Sequence, residues 1–518
     1  MDVTLLKKHI EYHFERQILM LPLWQTLAEN FYPERADFTI ARNIGMELSD
    51  NLVDSYPVLM RRDLGNSLNA MLRDGEWFKV GVDGDPDQLG KQWLEWASKQ
   101  LLGLMNSRSS NFSRAASEAD HDYVTFGQPI ISIERNRKAD GLLYRNWHLK
   151  DCTWFDDENG QVCGVVRRWK PTQRQMVTYF GAEKVHSAIN DDLFKNPFKE
   201  RECYHVTMPA DMFNDDEIQS KGYPYVSVFL DFENDHIIEK TGVNNHMYVV
   251  PRFQTIAGSP FAFSPATVAG LPNARTIQAM THTLLEAGER YARPPIIATT
   301  QVIKSDVDLT GDGITWVDKE YDEKLGAAMR PLYQNQSGFP IGLEMRQGVV
   351  EILSSAFYRD KLSLPEVSHE MTAYEVSERM KQFRRENLPL FAPIEADYNG
   401  QLCELSFELA MQNGFLGSPY DIPDSLRDRD VKFKFKSPLS ESEEEAKANM
   451  FAKTAQMLGE AAQFDPGVVL NLDFDEALRD AIEGTGAPAT WLRDIEEVAI
   501  GKQQMAEQQA MMEEAQVA

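Results

Sequence analysis

The chain has 518 residues, of which 42% are hydrophobic and 10% aromatic, enough apolar material for about two to four packed domains and too much for a disordered chain. Its formal net charge is −27, which excludes a broad basic surface that grips DNA by neutralising phosphates. There is no apolar run of about eighteen residues and the opening MDVTLLKKHIEYHFERQILM is too charged for a signal peptide, so the reading is a chain made and assembled in cytoplasm, with no membrane span.

In chain order, residues 1–121 read as mainly helical. Helical periodicity runs over 5–31 and ends at Tyr32 and Pro33, and a second helical segment covers 47–72 with a break or kink at Pro57. Asp74 and Gly75 signal a turn, and 76–80 (EWFKV) reads as a short strand. Trp93, Trp96, Leu101, Leu104 and Met105 predict a helix, and 111–124 another. Residues 123–250 change character. Short β-prone runs at 130–133, 162–169, 176–180, 203–208 and 225–229 are separated by turn pairs such as Asp140-Gly141 and Asn159-Gly160, which predicts an antiparallel sheet. Cys152, Cys163, Cys203 and Cys403 have no C-x-x-C spacing and read as buried or inert thiols in a reducing compartment.

A proline-punctuated irregular stretch then leads into a helix of about twenty residues ending near 292. Pro272 suits its first turn, where a missing N–H costs nothing. Ile277, Met280 and Leu284 recur at the spacing of one apolar face, while Gln278, Thr281, His282 and Glu289 make the rest polar. Pro294 and Pro295 stop it. Residues 293–340 read as a smaller mixed unit, with IIATTQVI at 296–303, a Gly-rich turn at 305–317 and a loop at 335–340; helix resumes over 341–362. Thr372 and Glu375 form a capping-box pattern that opens a further helix, which Pro389 and Pro393 interrupt. Phe391, Ile394, Tyr398, Leu402, Leu405 and Leu409 then fall at near-heptad spacing. VKFKFKSPLS at 431–440 reads as an alternating strand closed by Pro438. Beyond it lies an acidic helical tail, with seventeen Asp and Glu against five Lys and Arg over 440–518.

Catalytic patterns fail residue by residue. No Walker A or G-x-S-x-G motif is present. His369 and Glu370 begin an H-E-x-x-H pattern, but Ala373 stands where the second zinc ligand is needed. Gly484 and Gly486 fit a dinucleotide-loop spacing without a preceding strand, and read as a helix–helix connector. Asp306, Asp308, Gly311 and Asp312 are spaced like a calcium loop, but Val317 occupies the position of the bidentate Glu, so this is a polar hairpin turn or a weak cation site. A basic cluster, Arg359, Lys361, Arg379, Lys381, Arg384 and Arg385, stands out on so acidic a chain. It reads either as surface ion pairs with Glu375, Glu378 and Glu386 or as a few phosphate contacts.

Several short patterns, in order, give the chain a family. These are Trp24 with Phe31-Tyr32-Pro33, Asp54-Ser55, Trp77-Phe78, Ser110-Asn111-Phe112, Phe126-Gly127, Arg168-Trp169, Pro251-Arg252-Phe253, Leu271-Pro272, Met371-Thr372-Ala373-Tyr374-Glu375 and Ser437-Pro438-Leu439. Each is weak alone. Their order and spacing over most of the chain resemble the head-to-tail connector, or portal, proteins of short-tailed T7-like bacteriophages. Phe253 departs from the family's usual Trp, and Ser259-Pro260-Phe261 from its usual Y-G-R-G-P, which puts the local wing–stem contact in question and not the function.

The resemblance implies an α+β portal fold, mostly helical, with an antiparallel β wing and a small mixed clip, assembled as a ring, usually a dodecamer. It implies a wing over 1–270, stem helices at 271–292 and 341–362, a clip over 293–340, a tunnel loop at 358–371, wing or crown-base helices at 372–439 and a crown, with a possible helical barrel, at 440–518. DNA-tunnel candidates are Arg359, Lys361, Lys381, Arg384 and Arg385. Clip candidates for contact with the terminase or tail adaptor are Asp306, Asp308, Asp312, Trp316 and Tyr333. The implied role is non-enzymatic and needs no cofactor or metal: a conduit for packaging, retention and ejection of double-stranded DNA at one capsid vertex of the virion. Implied partners are other copies of the chain, the major capsid protein, scaffolding protein, the terminase large subunit, a tail adaptor or tail tube protein, and DNA passing without sequence preference. Alternatives are another virion structural protein, such as a tail adaptor or internal ejection protein, and a metal-dependent nuclease built on the 306–312 loop.

Overall fold

A computed structural model describes residues 2–292 except 42–44, 50, 51, 74, 85 and 215; 296–298, 318, 329–331 and 338–359; 394–435 except 428; and 438–508 except 463–466, 468–471, 486, 488–490, 494–496 and 506. Two compact units emerge. One comprises Met1–Trp24, Arg62–Ser264 and Lys361–Ala518, the other Gln25–Arg61 and Pro265–Asp360.

The opening helical stretch is two helices. α1 (Val3–Ile18) begins on Asp2, whose carboxylate accepts from the Val3 N–H at 2.8 Å, and α2 spans Leu21–Phe31. The expected single helix over 5–31 breaks at residues 19–20 because Pro22 has no N–H to extend α1 and fits the first turn of a new helix. The same argument corrects the expected helix over 47–72: α3 covers Tyr56–Leu72, so Pro57 starts it and does not kink it. Strand β1 (Phe78–Val82) and helices α4 (Gln88–Met105) and α5 (Phe112–Phe126) follow as expected.

In the larger unit, β2 (Ile131–Arg135) pairs with β3 (Leu142–Asn146) and with the two-residue β9 (Tyr248–Val249). β4 (Cys152–Asp156), β5 (Val162–Trp169), β6 (Cys203–Pro209), β7 (Tyr225–Asp231) and β8 (His236–Val243) form a five-stranded antiparallel meander in sequence order. The β4–β5 turn carries Gly160 at φ 76, and the Asp157 carboxylate accepts from the N–H groups of Asn159 and Gln161 at 2.9 and 2.8 Å. One face of this sheet buries Val166, Val206, Met208, Val226 and Val228 beneath Leu6 and Ile10 of α1. The other buries Cys203 and Phe229 beneath Met176 and Phe180 of α6 (Gln173–Phe180) and Ile189 of α7 (Ser187–Asp192).

The β-prone run 176–180 therefore lies in a helix, not a strand. A reciprocal Thr172–Gln175 capping box satisfies the first-turn donors, and Met176 and Phe180 at i and i+4 bury one helical face. Short helices α8 (Ala210–Phe213) and α9 (Asp216–Ser220) complete the cover over the α1 face through Phe213 and Ile218.

Two long-range contacts close this unit. β12 (Val431–Phe435) pairs antiparallel with β1, and Trp77 stacks on Phe435 and Phe112 at interplanar angles of 11° and 3°. Phe433 and Phe435 alternate with exposed Lys432 and Lys434, as the sequence predicts. Arg73 Nη1 donates to both carboxylate oxygens of Asp120 at 2.8 Å, Nε donates to Asn399 Oδ1 at 3.1 Å, and the guanidinium lies 4.4 Å from the Tyr398 ring centre. Burial opposes charge on both partners, but the adjacent Asp120 carboxylate outweighs it for Arg73 and holds its guanidinium protonated. Asn399 belongs to a π-helical segment (Ile394–Gly400) that runs into α12 (Gln401–Gln412).

The tail is helical at α13 (Pro438–Ala462) and α14 (Phe474–Gly484), which pack together. Pro438 opens α13, and Gly484 ends α14 as a connector glycine would. All four cysteines are buried and free. Among the described residues no helix is long and apolar enough to cross a membrane.

Candidate functional site

The smaller unit is built on α10 (Leu271–Ala292) and α11 (Gly338–Ala356). A π-helical turn, Ala266–Gly270, leads into α10, and its arrival at Pro272 matches the predicted start. The helices run antiparallel. Leu284 reaches Gly342, Thr281 meets Arg346, and Gly270 faces Phe357, so one helix descends as the other rises. Gly342 permits the close approach: a Cβ there would stand 2.7 Å from Leu284 Cδ2. The predicted apolar face of α10 packs inward, with Ile277 buried and Met280 and Leu284 half-buried. Past residue 292, β10 (Ile296–Ala298) pairs antiparallel with β11 (Met329–Pro331).

Asp54 clamps the two helices. The N–H groups of Val53 and Asp54 donate to Gln278 Oε1 at 2.9 and 2.8 Å, and Gln278 Nε2 donates back to the Asp54 carbonyl at 2.7 Å. Thr281 Oγ1 and Arg346 Nη2 both donate to Asp54 Oδ2, at 2.7 and 2.6 Å. Burial alone would push the Asp54 carboxyl up, but the Tyr56 N–H, the Arg346 guanidinium and the Thr281 hydroxyl outweigh it and hold the pKa below its ordinary value. On the polar face of α10, Gln278 and Thr281 spend hydrogen bonds within the chain. Asp54 belongs to the Asp-Ser motif, but its partners lie more than two hundred residues away, and no local pattern distinguishes Arg346 among the polar residues of α11.

Aromatic packing holds the other end of the hairpin. The Phe31 and Phe357 rings are 5.4 Å apart, and a Cβ on Gly270 would fall 3.0 and 3.2 Å from them. Tyr56 and Ser354 share a 2.5 Å hydroxyl hydrogen bond, and the Arg61 guanidinium lies 3.9 Å from the Tyr32 ring centre. α11 ends at Ala356, short of the expected 362, because Tyr358 takes the left-handed conformation at φ 56. Arg359, exposed, follows directly, and its guanidinium meets the Met60 sulfur at 3.8 Å. The other candidates, Lys361, Lys381, Arg384 and Arg385 with Asp306, Asp308, Asp312, Trp316 and Tyr333, lie outside the described residues, as do the 372–375 capping box and the 369–373 pattern.

What remains on the hairpin is a second apolar face. Gly342, Arg346 and Leu353 turn toward α10, whereas Ile341, Met345 and Ile352, at i, i+4 and i+11, stand 57%, 60% and 53% exposed. On α10, Leu285 and Tyr291 are exposed as well. A helix with apolar residues on two faces is built to be covered on both.

The pattern of the whole chain matches a known family. A family model for bacteriophage head to tail connecting proteins covers residues 14–492. The chain belongs to this connector family. It is also 21% identical over 517 residues to the portal protein of Salmonella phage epsilon15, covering 95% of this chain and 90% of that relative.

In this connector the two departures from the expected family pattern are accommodated. Phe253 stands 5.2 Å from the Tyr123 ring, and its N–H donates to the Gly127 carbonyl at 2.8 Å. Phe261 packs between Trp24 and Trp154, at 5.8 and 5.2 Å, while Trp154 Nε1 donates to the Pro260 carbonyl at 2.9 Å. Phe261 is seated in the core of the larger unit, whereas Phe253 is half-buried.

Proposed function

We propose that this connector assembles as a closed ring at one capsid vertex and serves as the conduit through which double-stranded DNA is packaged, retained and ejected. The observation that carries the reading is the second apolar face of α11, Ile341, Met345 and Ile352, on a chain of the connector family. Copies placed side by side would bury that face, and a ring satisfies every copy equally. In this reading α10 and α11 are stem helices, 293–337 carries the clip that meets the terminase large subunit and then the tail adaptor, and residues 1–270 are largely wing. The segment after Tyr358 holds the tunnel loop, and the tail beyond 440 forms the crown. Capsid and scaffolding proteins are the partners on the head side.

The charge suits the task. A net −27 per copy repels phosphate, so duplex can slide, and a few cations such as Arg359 supply weak contacts without reading sequence. The role needs no catalytic group or cofactor. Electron microscopy of the purified chain tests it. Closed rings with a central bore are expected, and a monomer that persists at high concentration rejects the proposal.

A further inference from the structure

The larger unit contains a basic cleft on a chain of net charge −27. It encloses about 670 Å³ beside the face of the five-stranded sheet that carries α6. Arg135, Arg137, Arg145, Arg167 and Arg174 line it, against Glu134 as its single lining carboxylate. Trp147, Trp169, Tyr179 and Phe198 give it aromatic walls, with Phe198 74% and Tyr179 51% exposed. Arg167 forms the floor. Its guanidinium lies 4.0 Å from the Trp147 ring centre and 3.5 Å from Glu134, and its buried Nε has no hydrogen-bond partner among the described residues. Exposed aromatic rings among arginines are the composition of a protein-binding hot spot.

On the other side of the sheet, the β4–β5 turn and α8 carry exposed carboxylates. Cys163 belongs to the cluster buried beneath α1, and its thiol is pushed up to about 11, by burial first and then by the carboxylates of Asp157, Asp156 and Asp211. Arg252 pairs with Asp156 at 2.8 Å, and Arg16 lines the same depression. Asp157 and Glu158 remain exposed at its edge, and Asp211 is exposed on α8.

We propose that the arginine cleft on one face of the sheet receives the Asp157, Glu158 and Asp211 patch of a second copy of this chain. Charge complementarity selects that occupant. With 80 acidic and 53 basic residues, two copies repel in most orientations, and basic cleft against acidic patch is an orientation that attracts. A cleft and its complement on opposite faces make a head-to-tail contact, which is the kind that closes rings. The inference rests on the ring assembly proposed above and names the contact that sets its geometry.

A charge swap in the full-length chain tests it, read by native mass spectrometry and electron microscopy. The variant R135E/R145E/R174E, which spares the buried Arg167, is expected to lose rings, and so is D157K/E158K/D211K. Combining all six substitutions in one chain is expected to restore rings, because attraction returns with its sign reversed. Raising salt from about 0.1 to 1 M is expected to shift wild-type rings toward monomer. Rings from the first variant in wild-type yield overturn the proposal, as does a six-fold variant that melts like wild type yet stays monomeric. If the first variant forms rings but loses binding of a fluorescent single-stranded oligonucleotide, the cleft is a nucleic-acid groove and the proposal fails. A wild-type chain that forms no rings overturns the ring reading itself, and this contact with it.

Discussion

Gly127 carries more constraint than its place in a Phe-Gly pair suggests. It caps α5 at φ 85, and a Cβ there would stand 2.7 Å from the backbone carbon of Phe263. Gly127→Ala should therefore cost at least about 2 kcal/mol, from backbone strain and a clash that no rotamer relieves, checked by urea unfolding. Asp54 is the corresponding residue of the helical hairpin. Its side chain is 7% exposed and Arg346 has no other carboxylate at comparable distance among the described residues, so Asp54→Asn should destabilise by about 3 kcal/mol. The folded-state pKa is depressed, so the unfolded chain binds the proton more readily. The contribution is thus present above the ordinary value of 3.8 and lost as pH falls through the lower folded value. Unfolding curves of wild type and Asp54→Asn should converge in acid and separate above pH 3.8; a constant gap would remove the carboxylate from the clamp.

At the scale of elements, the exposed face of the hairpin separates assembly from folding. Leu285→Ser with Met345→Ser should leave the melting of the isolated chain within about 0.5 kcal/mol, because both side chains are exposed, while ring yield falls several-fold. Arg359 lies just beyond the left-handed turn that ends α11. Arg359→Ala with Lys361→Ala should lower the DNA retained per particle while rings still form; unchanged retention removes them from the tunnel. Periodicity revealed α10 because it buries one face, through Ala274 and Ile277. It misread 176–180, where β-prone Val177, Thr178 and Tyr179 are overruled by the capping box at Thr172. It missed β3, β4 and β8, whose short or mixed patterns become strands through the neighbours that complete their ladders. Pro57 reads as a break or kink and in fact starts α3, and Pro22 carries no reading at all, since a breaker and a helix starter look alike until the preceding ladder is known.

For the whole molecule, a net charge of −27 makes association depend on local complementarity, so ring assembly should be both salt-dependent and specific to the faces that attract. Sedimentation of the full chain across a salt series checks this, and a ring population indifferent to salt would favour purely apolar contacts. The sequence alone determined the family, the α+β class, the buried thiols and the place of the α10–α11 pair, because ordered short motifs, composition and helical periodicity are local properties of the chain. Only the tertiary structure decided that Gln278 and Thr281 grip Asp54, that Arg346 completes the clamp, that β12 returns to β1, and that arginines from β2, β3, β5 and α6 share one cleft. Those pairings join residues tens to hundreds of positions apart. No spacing rule encodes them: burial selects which distant polar groups must satisfy one another.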